Sequence, residues 1–191
     1  MTEGGIASEP FLLISVSTVG GPSGLRVTVW RTLRALGGLY LQQSVCLLPA
    51  RDEVSRPVRR LLAQVQAKGG TGQVLTITIP DRDEHAGIVA QFNAERDAEY
   101  AEILERTPAL LDEITTETAR GRATYAEVEE SEADLDRFRT WISKIIARDY
   151  FKASGRATAE AEIERCAAAL ADFEAAAVAA ETDSSTIPPT A

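Results

Sequence analysis

Leu25–Pro49 reads LRVTVWRTLRALGGLYLQQSVCLLP, a basic helical pattern that two glycines end and an apolar run follows. Four apolar residues recur at three- and four-residue steps and form the expected buried stripe of this helix: Val27, Trp30, Leu33 and Leu36. Ser23 is the expected N-cap, and Gly37 with Gly38 ends the helix. The segment therefore predicts an amphipathic helix packed on a sheet.

Strand patterns lie on both sides of this helix. Phe11–Val16 is a short apolar run typical of a buried strand, and Gln73–Ile79 alternates apolar and polar residues. In Leu39–Cys46 a tight reversal near Gln42–Ser44 predicts two strands, with one long bent strand as the alternative. A second helix begins at Asp52, and its apolar stripe consists of Val54, Val58, Leu61, Leu62 and Val65.

The order of these elements predicts the fold class. The order strand, helix, strand, strand, helix, strand indicates an α+β protein with a ferredoxin-like βαββαβ domain over residues 1–80. In this fold both helices cover one face of an antiparallel sheet. Residues 81–180 are almost purely helical in pattern, so we expect a three-helix C-terminal region there. Its helices span about residues 83–121, with a kink or restart near Pro108, then 125–150 and 158–180. Residues 181–191 are predicted to be a disordered tail.

Composition and charge narrow the classes of function. The 191 residues are 45% hydrophobic and 26% charged, as in a globular protein with a real core. Residues 1–80 contain eight basic and four acidic residues, a net of +4, whereas residues 81–191 contain twelve and twenty-five, a net of −13. An anion or nucleic-acid surface is therefore expected in the first half. No run reaches the ~20 apolar residues of a membrane span, and the first ten residues do not resemble a secretory signal, so we expect a cytoplasmic protein.

Six arginines on the two predicted helices are the candidates for binding DNA or an oxyanion: Arg26, Arg31, Arg34, Arg56, Arg59 and Arg60. Arg51, at the start of the second helix, extends this set. The planar guanidinium binds phosphate and similar oxyanions through two parallel hydrogen bonds. The alternative is that these arginines form ordinary solvated helix faces or pair with the acidic second half.

A second candidate cluster lies in the helical region and consists of Phe92, Arg96, Glu99, Tyr100 and Arg148. Phe92, Arg96 and Tyr100 follow each other at four-residue steps, so they share one helix face. The cluster fits either an anion or metal pocket or an interhelical lock. No cofactor and no structural metal are expected, because the single histidine, His85, is predicted to be exposed and neither cysteine lies in a CxxC motif.

Four separated segments carry a family resemblance: Leu25–Gly37, Tyr40–Pro49, Phe92–Tyr100 and the helix end Trp141–Phe151. Together they resemble the N-terminal domain of the chromate resistance protein ChrB family, over nearly all of residues 11–178. The resemblance implies a cytoplasmic, chromate-responsive regulator of a chromate efflux operon, with a second C-terminal domain. The helix and hairpin also resemble the ferredoxin-like core of the phenylacetate repressor PaaX and of small CRISPR-associated nucleases, which implies a homodimer.

The sequence leaves three functions open. The first is a non-enzymatic regulator or sensor whose arginine-rich helices contact DNA or an oxyanion while the helical half dimerises. The second is an enzyme of nuclease-like or redox type that uses Cys46 or a carboxylate cluster, although the resembled nucleases carry an aspartate where this chain has Val16 and Ser17. The third is a structural dimerisation module.

Overall fold

The computed structural model describes residues 9–120 and 124–184 of the chain. The expected α+β class is confirmed. The elements are, in chain order, β1 (Phe11–Ser17), α1 (Leu25–Ala35), β2 (Leu39–Gln42), β3 (Val45–Pro49), α2 (Asp52–Ala67), β4 (Thr71–Ile77), α3 (Arg82–Ala119), α4 (Tyr125–Ile146) and α5 (Arg156–Ser184). The predicted helix stop at Gly121 and the tail residues 185–191 lie outside the described residues.

The four strands form one antiparallel sheet in the order β2-β3-β1-β4. β1 is flanked on both sides, so that Ile14 lies opposite Cys46 of β3 and Val74 of β4. The reversal predicted in the run after α1 is confirmed, because β2 and β3 pair as a hairpin. β4 begins at Thr71, two residues before the predicted strand, and ends at Ile77.

Alternation along the strands gives the sheet two apolar faces. One face, with Leu12 and Ile14, forms a core cluster with the buried residues of α1 and α2. The predicted apolar stripe of α2 is buried in full. The opposite face, with Phe11 and Leu47, packs against Phe92 of α3. Both helices that carry the candidate arginines therefore lie on the same face.

The rotation of α1 differs from the prediction. Leu25, Val29 and Leu33, at four-residue steps, are the buried residues of α1. Val27 and Trp30 are instead 46% and 52% exposed, so their assignment to the core stripe was wrong. The helix carries apolar residues on more than one face, and the sheet is covered by the i, i+4 stripe of leucine and valine.

The two ends of α1 were predicted with unequal success. Ser23 is not the N-cap, because Gly24 holds that position and makes no side-chain cap bond. The glycine stop is confirmed at the other end, where Gly37 follows the C-cap Leu36 with a φ of 74°. A glycine accepts this left-handed backbone without a steric penalty.

Two compact units divide the chain, and the change of unit falls inside α3 instead of at residue 80. The first, here called the sheet unit, contains the described residues up to Ala94 together with Arg148–Phe151. The second, the helical unit, contains residues 95–147 and those from Lys152 onward. α3 continues through Pro108 as one helix, and α5 continues to Ser184.

Arg148–Phe151, here called the return segment, completes the core of the sheet unit. The Tyr150 hydroxyl donates a hydrogen bond of 2.8 Å to the carbonyl oxygen of Leu36, at the end of α1. The Phe151 ring lies 6.1 Å from the Phe11 ring, measured between centroids. The sheet unit is thus built from two separate stretches of sequence.

Candidate functional site

Exposed arginines cover the outer side of α1 and α2, which contact each other. This arginine surface consists of Arg26, Arg31, Arg34, Arg56, Arg59 and Arg60. α1 contains no Asp or Glu, and the acidic residues of α2, Asp52 and Glu53, lie in its first turn. Within residues 9–120 and 124–184, all of these arginines except Arg34 are without an ion pair.

The arginines of the helical unit behave differently, since they bind carboxylates that are mostly one helical turn away. These paired arginines are Arg96, Arg106, Arg120, Arg137, Arg139, Arg156 and Arg165. Such pairs add little stability when exposed, but they neutralise charge locally. Apart from Arg34, the arginine surface is therefore positive charge that no carboxylate of the described residues neutralises, on a chain of net charge −9.

Arg51 has a structural role and does not extend the arginine surface. Its guanidinium donates hydrogen bonds of 2.6 and 3.1 Å to the two carboxylate oxygens of Glu9 and one of 2.9 Å to the carbonyl oxygen of Tyr150. It also lies 5.2 Å from the Tyr150 ring centroid and 5.8 Å from that of Phe151. Hydrogen bonding of its guanidinium to the Glu9 carboxylate raises the pKa of Arg51. This arginine fixes the return segment to the sheet unit.

A groove of about 1070 Å³ runs between α1, the end of β1 and the β2–β3 hairpin. α1 lines this α1 groove with Arg26, Trp30 and Arg34, and the hairpin lines it with Tyr40 and Cys46. Burial raises the pKa of Tyr40 to about 12, with a smaller opposing effect of the Arg34 charge. The phenol therefore stays neutral at physiological pH.

The residues of the second predicted cluster divide between the two units. Phe92 belongs to the core of the sheet unit and Arg148 to its return segment. In the helical unit Arg96 is 4% exposed and its Nε lies 3.1 Å from a carboxylate oxygen of Glu99. Tyr100 is fully buried, and Phe92 is 4% exposed. Arg96 and Glu99 both belong to α3, so their ion pair lies within one helix.

The two thiols are buried in the protein, and the histidine is partly buried. Cys46 is 1% exposed, and burial raises the pKa of the Cys166 thiol. His85 is partly buried, with its ring 5.3 Å from Phe11 and its Nε2 3.3 Å from the carbonyl oxygen of Glu9, so the expectation of an exposed histidine was wrong. Among the described residues, no three His, Cys, Asp or Glu side chains are grouped to hold a metal ion. The helices in that part of the chain are also too short or too polar to cross a membrane.

Sequence reasoning missed the exposed side chains of Val27 and Trp30 as candidate binding residues. Both line the α1 groove. The sequence did indicate this second surface, because α1 contains more apolar residues than one buried stripe accounts for. Surplus apolar residues on a helix that faces a sheet indicate a second contact surface.

The family comparison matches residues 26–184 to the family described as "Protein ChrB, N-terminal". The chain belongs to this family. A relative, Protein ChrB of Cupriavidus metallidurans, is 27% identical over 122 residues, which are 64% of this chain and 34% of that protein. The chain therefore aligns with only about a third of that relative's length. The predicted membership of the ChrB-like chromate resistance family is confirmed, and the family match includes α1, the hairpin and every later element.

Proposed function

We propose that this ChrB-family chain acts in the cytoplasm as a transcription regulator of chromate resistance and that its arginine surface binds the phosphate backbone of DNA. The observation that carries the proposal is the contrast in pairing between the two units. Arg26, Arg31, Arg56, Arg59 and Arg60 are exposed and, among the described residues, have no carboxylate partner. Arginines that are not neutralised by the protein are available to phosphates and release counterions when they bind them.

The distribution of these arginines favours DNA over a single chromate or other oxyanion. Two of them lie on α1 and three on α2. One tetrahedral ion needs donors that converge on a point, whereas a duplex presents phosphates along both strands. Exposed arginines spread over two adjacent helices fit the second arrangement.

The finer fold and the assembly belong to the same proposal. The element order and the strand order support a ferredoxin-like βαββαβ unit followed by three helices. The homodimer rests on the family resemblance alone.

Loss of two arginines tests the DNA-binding surface. Duplex DNA binding by the full chain is followed by fluorescence anisotropy over a series of salt concentrations. An Arg31→Gln, Arg59→Gln double variant is expected to bind more weakly and to flatten the plot of log affinity against log salt by roughly 0.9 for each phosphate contact removed. Neither residue lines the α1 groove.

An Arg137→Gln, Arg139→Gln double variant is the matched control. It also removes two positive charges, but from exposed arginines of α4 that are paired with Asp134 and Asp136. Its affinity and salt slope are expected to stay close to those of the unmodified chain. Equal losses in both double variants, or no salt-dependent binding by the unmodified chain, would contradict the proposal.

A further inference from the structure

Three exposed apolar side chains of the sheet unit line the α1 groove: Val19, Val27 and Trp30. The largest is Trp30, and its indole has no ring contact with any other residue of the described ranges 9–120 and 124–184. Single exposed apolar residues are common on protein surfaces, but a group of them in one concavity indicates a binding site. An aromatic occupant gains a stacking contribution on the indole in addition to the burial of apolar surface.

The hairpin side of the groove supplies hydrogen-bonding groups. Gln42, Gln43 and Ser44 lie at the turn between β2 and β3, are exposed, and line the groove. Amide and hydroxyl groups both donate and accept hydrogen bonds. A planar ring that carries donors and acceptors along its edge, which is the chemistry of a nucleobase, therefore fits both sides of the groove.

Arg26 connects this groove to the arginine surface, because it belongs to both. It lies four residues before Trp30, about 6 Å along the helix axis and on the same side of α1. Arg34 also lines the groove but is engaged within the protein, so Arg26 supplies the charge. The described residues that line the groove include no Asp or Glu. A phosphate bound to Arg26 thus has its attached base within reach of Trp30.

We propose that the α1 groove binds an unpaired base of the DNA whose phosphates contact the arginine surface, with the base stacked on Trp30. This site rests on the DNA binding proposed above and adds a preference for DNA with unpaired bases. In a complete duplex the faces of the bases are stacked on one another and are not available to an indole. Aromatic side chains stack on unpaired bases with little dependence on sequence, because every base has a π-face.

Intrinsic fluorescence tests the contact, because the two tryptophans of the chain are Trp30 and Trp141. A Trp141→Phe variant emits from Trp30, and a Trp30→Phe variant emits from Trp141. The probe is an oligothymidylate of about twelve nucleotides, within the ~4–16 that single-strand sites cover. It is expected to quench the Trp141→Phe variant by stacking and to leave the emission of the Trp30→Phe variant nearly unchanged. The same strand paired with oligoadenylate in a blunt duplex is expected to bind without quenching Trp30.

Affinities measured by fluorescence anisotropy give a second readout. Trp30→Leu keeps an apolar side chain but removes the aromatic face. It is expected to lower the ratio of oligothymidylate affinity to duplex affinity by at least about fivefold, the lower end for one stacked base. Thr28→Ala is the matched control, since Thr28 is exposed on the same helix but does not line the groove, and the ratio should stay within about twofold. Circular dichroism checks that both variants are folded.

The outcomes separate this site from DNA binding in general. Salt-dependent duplex binding without selective quenching of Trp30 would overturn the base site and leave the proposed DNA binding intact. An unchanged affinity ratio in Trp30→Leu, or an equal loss in Thr28→Ala, would overturn it in the same way. If neither the oligothymidylate nor the duplex binds, both proposals are wrong.

Discussion

Gly38 lies where the end of α1 approaches strand β3. A Cβ atom added to this glycine would lie 2.5 Å from the Cys46 sulfur and 2.9 Å from the carbonyl oxygen of Leu33. Both distances are shorter than a van der Waals contact, and one of the two atoms belongs to the backbone. The chain can therefore turn from α1 into β2 at this depth only with a residue that has no side chain.

We expect Gly38→Ala to destabilise the sheet unit by about 1–3 kcal/mol, the usual cost of forcing extra volume into a packed core. Urea unfolding followed by Trp30 fluorescence, in a Trp141→Phe background, measures this loss. Gly87→Ala is the matched control, since a Cβ there meets nothing within 4 Å and alanine favours a helix interior. That substitution is expected to raise stability by up to about 1 kcal/mol. Unchanged stability of Gly38→Ala would contradict the close approach.

Residue patterns predicted burial well where a helix carries only one apolar face. α2 is such a helix, and all five residues of its predicted stripe are buried. α1 carries two apolar stripes, so periodicity alone could not decide whether Trp30 or Val29 faces the sheet.

Ion pairs between residues far apart in the chain could not be predicted from the sequence. Arg51, for example, binds Glu9, forty-two residues earlier. Ion pairs within one helical turn, such as Arg165 with Glu162, follow from spacing alone.

At the scale of elements, α3 and α5 are joined by a polar contact inside the helical unit. Thr107 of α3 is fully buried, and its hydroxyl donates a 3.1 Å hydrogen bond to Glu162 of α5. Arg165 donates to the same carboxylate at 2.6 Å. The hydrogen bond from Arg165, assisted by that from Thr107 and opposed by burial, holds the pKa of Glu162 below its ordinary value of 4.5. The ionised carboxylate thus favours the folded helical unit.

This contact predicts a pH-dependent contribution to stability. Because the folded pKa of Glu162 is lowered, its stabilising effect is complete above 4.5 and is lost as the pH falls through the folded pKa. Glu162→Gln is therefore expected to lower the melting temperature near neutral pH, and the difference from the unmodified chain should shrink in acid. Thermal unfolding by circular dichroism over a pH series measures the difference.

Glu164→Gln serves as the control for that pH series, because Glu164 is exposed on the same helix and forms no ion pair among the described residues. Its melting temperature should follow that of the unmodified chain at every pH. A Glu162→Gln deficit that stayed constant into acid would show that the contact acts through packing and not through the charge.

At the scale of the whole molecule, the return segment makes the sheet unit depend on residues that follow α4. The Tyr150 hydroxyl satisfies the Leu36 carbonyl, one of the acceptors that the end of α1 leaves without a helical partner. Arg51 binds the backbone of the same tyrosine.

The sequence predicted that α4 extends to Tyr150, but the helix ends at Ile146. Arg148–Phe151, which follow it, pack in the sheet unit. Helical periodicity does not show when a chain leaves one core for another.

Tyr150→Phe removes the hydroxyl and keeps the ring. The expected loss is about 1 kcal/mol in the stability of the sheet unit, the typical net value of one hydrogen bond. Trp30 fluorescence during urea unfolding, in the Trp141→Phe background, reports the change. Tyr125→Phe, at a residue 51% exposed on α4, should have no effect on the same transition. If Tyr150→Phe left the stability of the sheet unit unchanged, this hydrogen bond would contribute nothing beyond what water supplies.

The return segment also has a consequence for synthesis on the ribosome. Phe11 and Phe92, both almost completely buried in the finished protein, emerge long before Phe151, which packs against them. Residues 95–147 are translated in between, which takes roughly 3 to 10 s at ~5–20 residues per second. During that interval the nascent sheet unit carries exposed aromatic rings. Chaperones that bind apolar segments therefore have most to protect in the first half of this chain.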